Sequence, residues 1–132
     1  MAKHPKVRWL DAPVEHDYPA AASYLGLLAG PAVVAASTRE LKAAPTVQQH
    51  AKDVLRAAGL PLLPADDPEV AKDLKKAAKG TALSPILVIR GDLGTGRALV
   101  IADGYHRVCA SYHLDEDTEI PCRVVDLPTS AG

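Results

Sequence analysis

From Asp17 onward, apolar residues return at three- and four-residue spacing (Ala21, Tyr24, Leu25, Leu28) as far as Gly30, which predicts one buried helical face. Asp17 suits the cap of that helix and Pro19 its first turn. Pro31 opens a second helix whose Val34, Leu41 and alanines recur until Pro45 ends it, so the N-terminal third reads as a helical hairpin. Thr46-Val47-Gln48-Gln49-His50 then reads as a short strand, and Lys52 to Ala58 as a helix stopped by Gly59. Leu60-Pro61-Leu62-Leu63-Pro64 must be extended, because each proline disfavours helix before it, and is expected to cross the sheet. Asp66-Asp67-Pro68-Glu69 marks the acidic, proline-started beginning of a helix that runs to Gly80. On it Val70, Leu74, Ala77 and Ala78 share one face, while Lys72, Lys75, Lys76 and Lys79 form an opposite face expected in solvent.

The C-terminal part has the clearest strand patterning. Pro85-Ile86-Leu87-Val88-Ile89-Arg90 and Ala98-Leu99-Val100-Ile101-Ala102 are short apolar strands on either side of a turn from Gly91 to Gly96, which predicts a hairpin. That turn lacks the Lys-Ser/Thr ending of a phosphate loop and precedes a strand rather than a helix. Asp103-Gly104 opens a helix through His113, and Ile120 to Val125 gives a closing strand, with Pro121 suited to an edge or a strand start. The fold class expected is α/β (α+β): a single domain, 1–132, in which a small mixed sheet built from 46–127 follows a helical N-terminal extension, 1–45.

Composition narrows the function classes. Of 132 residues 48% are hydrophobic and 23% charged, which fits a globular chain; only 4% are aromatic and none is Phe, so alanine-rich helices carry much of the apolar content. A formal net charge of −1 gives no global attraction to nucleic acid or anionic membranes. The start lacks an apolar leader, and no stretch reaches the ~18 apolar residues of a membrane span, so a cytoplasmic protein is expected. Cys109 and Cys122 are too few for a disulfide scaffold and read as buried thiols. No metal site is expected: His106 and His113 lie seven apart, and Asp115-Glu116-Asp117 lacks calcium-loop spacing.

The sharpest local feature is Asp103-Gly104-Tyr105-His106-Arg107, where a strand turns into a helix. Free N–H groups and the helix dipole suit an anion there, and glycine permits close approach. His106 and Arg107 oppose that dipole unless something negative sits nearby. It is either a bound phosphate or an internal carboxylate, with Asp103, Glu69 and Glu119 the candidates.

The stretch from Leu83 to Val125 resembles the ParB/sulfiredoxin superfamily: a Pro-Ile strand, a hairpin, a helix start with Gly104, Arg107 and Ala110 at the family spacing, then Ile-Pro and a final strand. The resemblance implies nucleotide-phosphate binding at the turn. Sulfiredoxins carry a reactive cysteine where this chain has Tyr105. Chromosome-partitioning ParB proteins carry an arginine where it has Cys109, and continue into a helix-turn-helix domain. The turn is most similar to the Asp-Gly-His-His-Arg of ParB-like free serine kinases, which implies a phosphate grip by His106 and Arg107, Asp103 as proton acceptor, and magnesium.

The leading expectation is therefore a domain that binds a nucleotide or phosphorylated small molecule through Gly104, Tyr105, His106 and Arg107, with phosphoryl transfer or nucleotide hydrolysis as the reaction if Asp103 is catalytic. The alternative is a catalytically inactive interaction or regulatory module that meets a protein partner through the N-terminal helices. A DNA-associated ParB-like nuclease is a weaker third reading, since no broad basic groove is visible.

Overall fold

The computed structural model describes residues 7–128. Its elements are α1 (Asp17–Leu25), α2 (Pro31–Ala43), β1 (Thr46–His50), α3 (Ala51–Ala58), α4 (Pro68–Ala78), β2 (Ile86–Ile89), β3 (Val100–Asp103), α5 (Tyr105–Leu114) and β4 (Glu119–Val125). The strands form one mixed sheet in the order β1-β4-β2-β3. β2 and β4 are parallel at its centre, and β1 and β3 flank them antiparallel.

Side chains alternate across a strand, so β2 feeds two cores. Ile86 and Val88 join Ile101, Ile120 and Cys122 under α3, α4 and α5, where Val54, Leu55, Val70, Val108 and Cys109 are buried. Leu87 and Ile89 point the other way, into Tyr18, Ala21, Leu25 and Leu41 of α1 and α2. Cover on both faces is why β2 reads as an unbroken apolar run and is buried at every residue. The hairpin of α1 and α2, read from sequence as an addition, is thus the second cover of the sheet, and Ala21 and Leu41 are wholly inaccessible.

Three local expectations change. β4 lies inside the sheet, although Pro121 suggested an edge or a strand start. Proline is tolerated there because pairing with β2 begins only at Cys122, and on the other side Pro121 faces Gln48. The 60–64 connector does not cross the sheet; it runs over α5, where the Tyr105 hydroxyl donates to the Pro61 carbonyl and the His113 Nε2 lies 2.7 Å from the Leu63 carbonyl. α1 stops at Leu25 rather than continuing to Gly30, and Leu27 is left 83% exposed in the turn. The half-buried Trp9 lies in an extended arm that bridges to Leu83 and packs on the core beneath α5.

Among the described residues no helix is long and apolar enough to cross a membrane.

Candidate functional site

β3 delivers Asp103 to one end of the sheet, and Gly104 reverses the chain into α5. Its φ of +108° is one that other residues rarely adopt, and a Cβ there would lie 2.6 Å from the Ile86 Cδ1. Glycine is therefore required for both conformation and room.

Four of the five residues predicted for the site, Gly104, Tyr105, His106 and Arg107, stand on the opening of α5, and Asp103 directly precedes it; all are half-exposed. The helix has no side-chain cap and no acidic residue in its first turn. The first N–H to find a helical partner is that of Val108, which donates to the Gly104 carbonyl at 3.1 Å. The N–H groups of Tyr105, His106 and Arg107 meet no acceptor among the described residues.

Arg107 faces inward. Its guanidinium donates to the Asp103 carboxylate and to the carbonyls of Ser84 and Pro85, and lies 3.5 Å from the Asp17 carboxylate, with 13% of the side chain exposed. Ser84 continues the network: its hydroxyl donates to Asp17 and accepts from the Val14 N–H at 3.1 Å. Of the carboxylates considered from sequence, Asp103 pairs with Arg107; Glu69 and Glu119 form no ion pair with it. Asp17, expected from sequence to cap α1, makes no cap hydrogen bond; its carboxylate turns instead to Ser84 and to Arg107, which is 107 − 17 = 90 residues away, and nothing local in the sequence marks that pairing or the part Ser84 plays in it. Two carboxylates thus face one guanidinium.

Burial pushes the Asp103 carboxyl above its ordinary range; Arg107 pulls it back and Asp17 adds to the rise. Asp103 is therefore bound to Arg107 and costly to ionise, a weaker proton acceptor in its geometry than in its chemistry.

Tyr105 spends its hydroxyl on Pro61, so only its backbone N–H is directed at the turn. Its ring lies 5.6 Å from that of His106, tilted by 36°. The His106 imidazole forms no ion pair with a carboxylate among the described residues.

A further carboxylate, Asp73 on α4, belongs to this region. It is half-buried and forms no ion pair among the described residues; burial pushes its carboxyl up, while Lys76, Arg107 and His106 pull it back. The sequence held a signal for it. On a helix Asp73 lies about 40° from Ala77 and about 60° from both Val70 and Lys76, so it sits at the border between the apolar stripe and the lysine face.

The two thiols give no nucleophile. Cys109 and Cys122 are buried and unpaired, and burial pushes both up, Cys122 to about 12. Among the described residues no three or more His, Cys, Asp or Glu side chains converge as a metal site.

Comparison with protein-family models, with curated proteins and with solved structures found no match to this chain.

Proposed function

We propose that this chain is a ParB/sulfiredoxin-type domain that binds a phosphorylated small molecule or nucleotide at the opening of α5, and that the Arg107 guanidinium positions the turn without touching the ligand. The observation that carries the reading is the set of three N–H groups, on Tyr105, His106 and Arg107, at a half-exposed helix start with no acceptor among the described residues. Such groups, together with the helix dipole, favour an anion. The His106 imidazole, next to them and in no ion pair among the described residues, adds a donor that becomes a charge when protonated.

The carboxylates qualify which anion fits. Asp17, Asp73 and Asp103 stand around Arg107 and His106, so a bare polyanion meets repulsion as well as attraction. A phosphate that arrives with magnesium suits this balance, because the ion is usually held by one or two carboxylates and by the phosphates themselves. Asp73, half-buried and unpaired, is the residue that would hold it. Bound magnesium would neutralise phosphate charge, which with positioning supplies most of what phosphoryl transfer requires.

The test is thermal stability in the presence of inorganic phosphate, ADP and ATP, with and without magnesium. A ligand at a hundredfold excess over Kd adds about 2.7 kcal/mol to the folded state. The largest rise in Tm is expected with a nucleotide and magnesium together, and His106→Ala should weaken that binding without changing the Tm of the free protein. A flat response across the panel overturns the reading.

A second reading draws on a separate observation. Tyr24, Leu27 and Leu28 are 46%, 83% and 57% exposed at the end of α1, an apolar cluster that suits an interaction module working through the N-terminal helices. That module would show no nucleotide response.

A further inference from the structure

β1 is the outer strand of the sheet and, among the described residues, pairs with β4 alone. Two observations fix which of its backbone groups face outward. Pro121, opposite Gln48, has no N–H, so this pair cannot exchange both ladder bonds. One step beyond the strand, in the same register, the Ala51 N–H donates to the Thr118 carbonyl at 3.0 Å. Counting back from Ala51 in alternation, Val47 and Gln49 bond to β4, while Thr46, Gln48 and His50 turn their N–H and carbonyl groups away from it.

Four of the five β1 residues are exposed, so no element among the described residues covers this edge. Natural edges are commonly blunted by lysine, proline, a bulge or an inward charge, and Thr-Val-Gln-Gln-His carries none of the first three and no acidic or permanently charged side chain. The other edge is managed differently: β3 is short, largely buried, packed by α1 and interrupted by a register shift opposite Leu87 and Val88.

We propose that a second copy of this chain docks on β1, so that the two sheets join antiparallel across a two-fold axis at Gln48. The edge is self-complementary in that arrangement. Gln48 faces the partner's Gln48, Thr46 faces the partner's His50, and His50 faces the partner's Thr46; each pair exchanges two backbone hydrogen bonds. No acid or permanent cation meets its like across the seam.

The test is sedimentation of the full chain over a concentration series, together with amide hydrogen exchange. The wild type should pass from monomer to dimer as concentration rises, with exchange at Thr46, Gln48 and His50 slowed in the dimer. Gln48→Lys sets two lysines opposite each other and should weaken association at least tenfold. Gln48→Pro removes an outward donor but no bond to β4, and should do the same in a folded monomer. A chain that stays monomeric at every concentration overturns the proposal, and so does a dimer in which the three amides exchange as fast as in the monomer. If either variant fails to fold, the exchange pattern of the wild type decides.

Discussion

The starts of α4 and α5 solve the same problem in opposite ways. At α4 every leading N–H is accounted for: Pro68 has none, those of Glu69 and Val70 donate to the Asp67 carboxylate at 3.1 Å each, and that of Ala71 donates to the Asp67 carbonyl. Pro68 and Glu69 add a preset φ and a favourable charge. At α5 there is no side-chain cap and no acid in the first turn, and three N–H groups have no acceptor among the described residues. The first helix is closed by its own sequence. The second is held from beneath by Arg107, which fastens the turn to Asp103, Asp17 and the 84–85 carbonyls. A start secured by tertiary contacts leaves its leading backbone groups uncommitted, which is what a ligand requires.

The contrast predicts a ranked set of effects. Arg107→Ala should be the most damaging, at about 3 kcal/mol in chemical denaturation, because it strands two poorly solvated carboxylates. A loss under 1 kcal/mol would mean that the turn does not depend on its tether. Gly104→Ala should cost about 2 kcal/mol, since it forces a side chain into a left-handed conformation and against Ile86. Asp67→Ala should cost about 1 kcal/mol, as expected for loss of a purely local cap, and should leave nucleotide response untouched.

The smallest effect has the opposite sign. Burial holds the Asp73 carboxyl above its ordinary 3.8, so the folded chain takes up that proton more readily than the unfolded one, and stability falls as pH rises from 3.8 through the folded value. Asp73→Asn should therefore raise the unfolding free energy at neutral pH by less than about 1 kcal/mol after solvent screening, with a matching rise in Tm, and the gain should close as pH is lowered toward 3.8. A lower Tm at neutral pH would show instead that attraction to Lys76, Arg107 and His106 outweighs the cost of burial.

What was legible in the sequence was what neighbours decide. Asp67, Pro68 and Gly80 bracket α4, Gly59 stops α3 at a φ of +65°, and the turn at 91–96 joins β2 to β3, all from signals within a few residues. Strand order was not legible, because β4 reaches its central place through pairings with β1 and β2 that leave no mark on Pro121 itself. At the candidate site, the strand-to-helix turn and its glycine could be read. The direction of Arg107 could not: its spacing fits a ligand contact and an internal tether equally, and Asp17 and Ser84 are distant in the chain. Asp73 could have been found from its place at the border of an apolar stripe, but the lysines opposite drew the reading outward.

The network through Val14, Ser84, Asp17 and Arg107 also sets an order of events during synthesis. The Val14 N–H bonds to a hydroxyl 70 residues further on, and Asp17 meets a guanidinium later still. A nascent α1–α2 hairpin therefore emerges from the ribosome before its covering strands exist, with Leu25 and Leu41 unsheltered until β2 follows. Closing loops over such spans carries an entropic cost that local contacts avoid, and the contacts that seat Arg107 bear it.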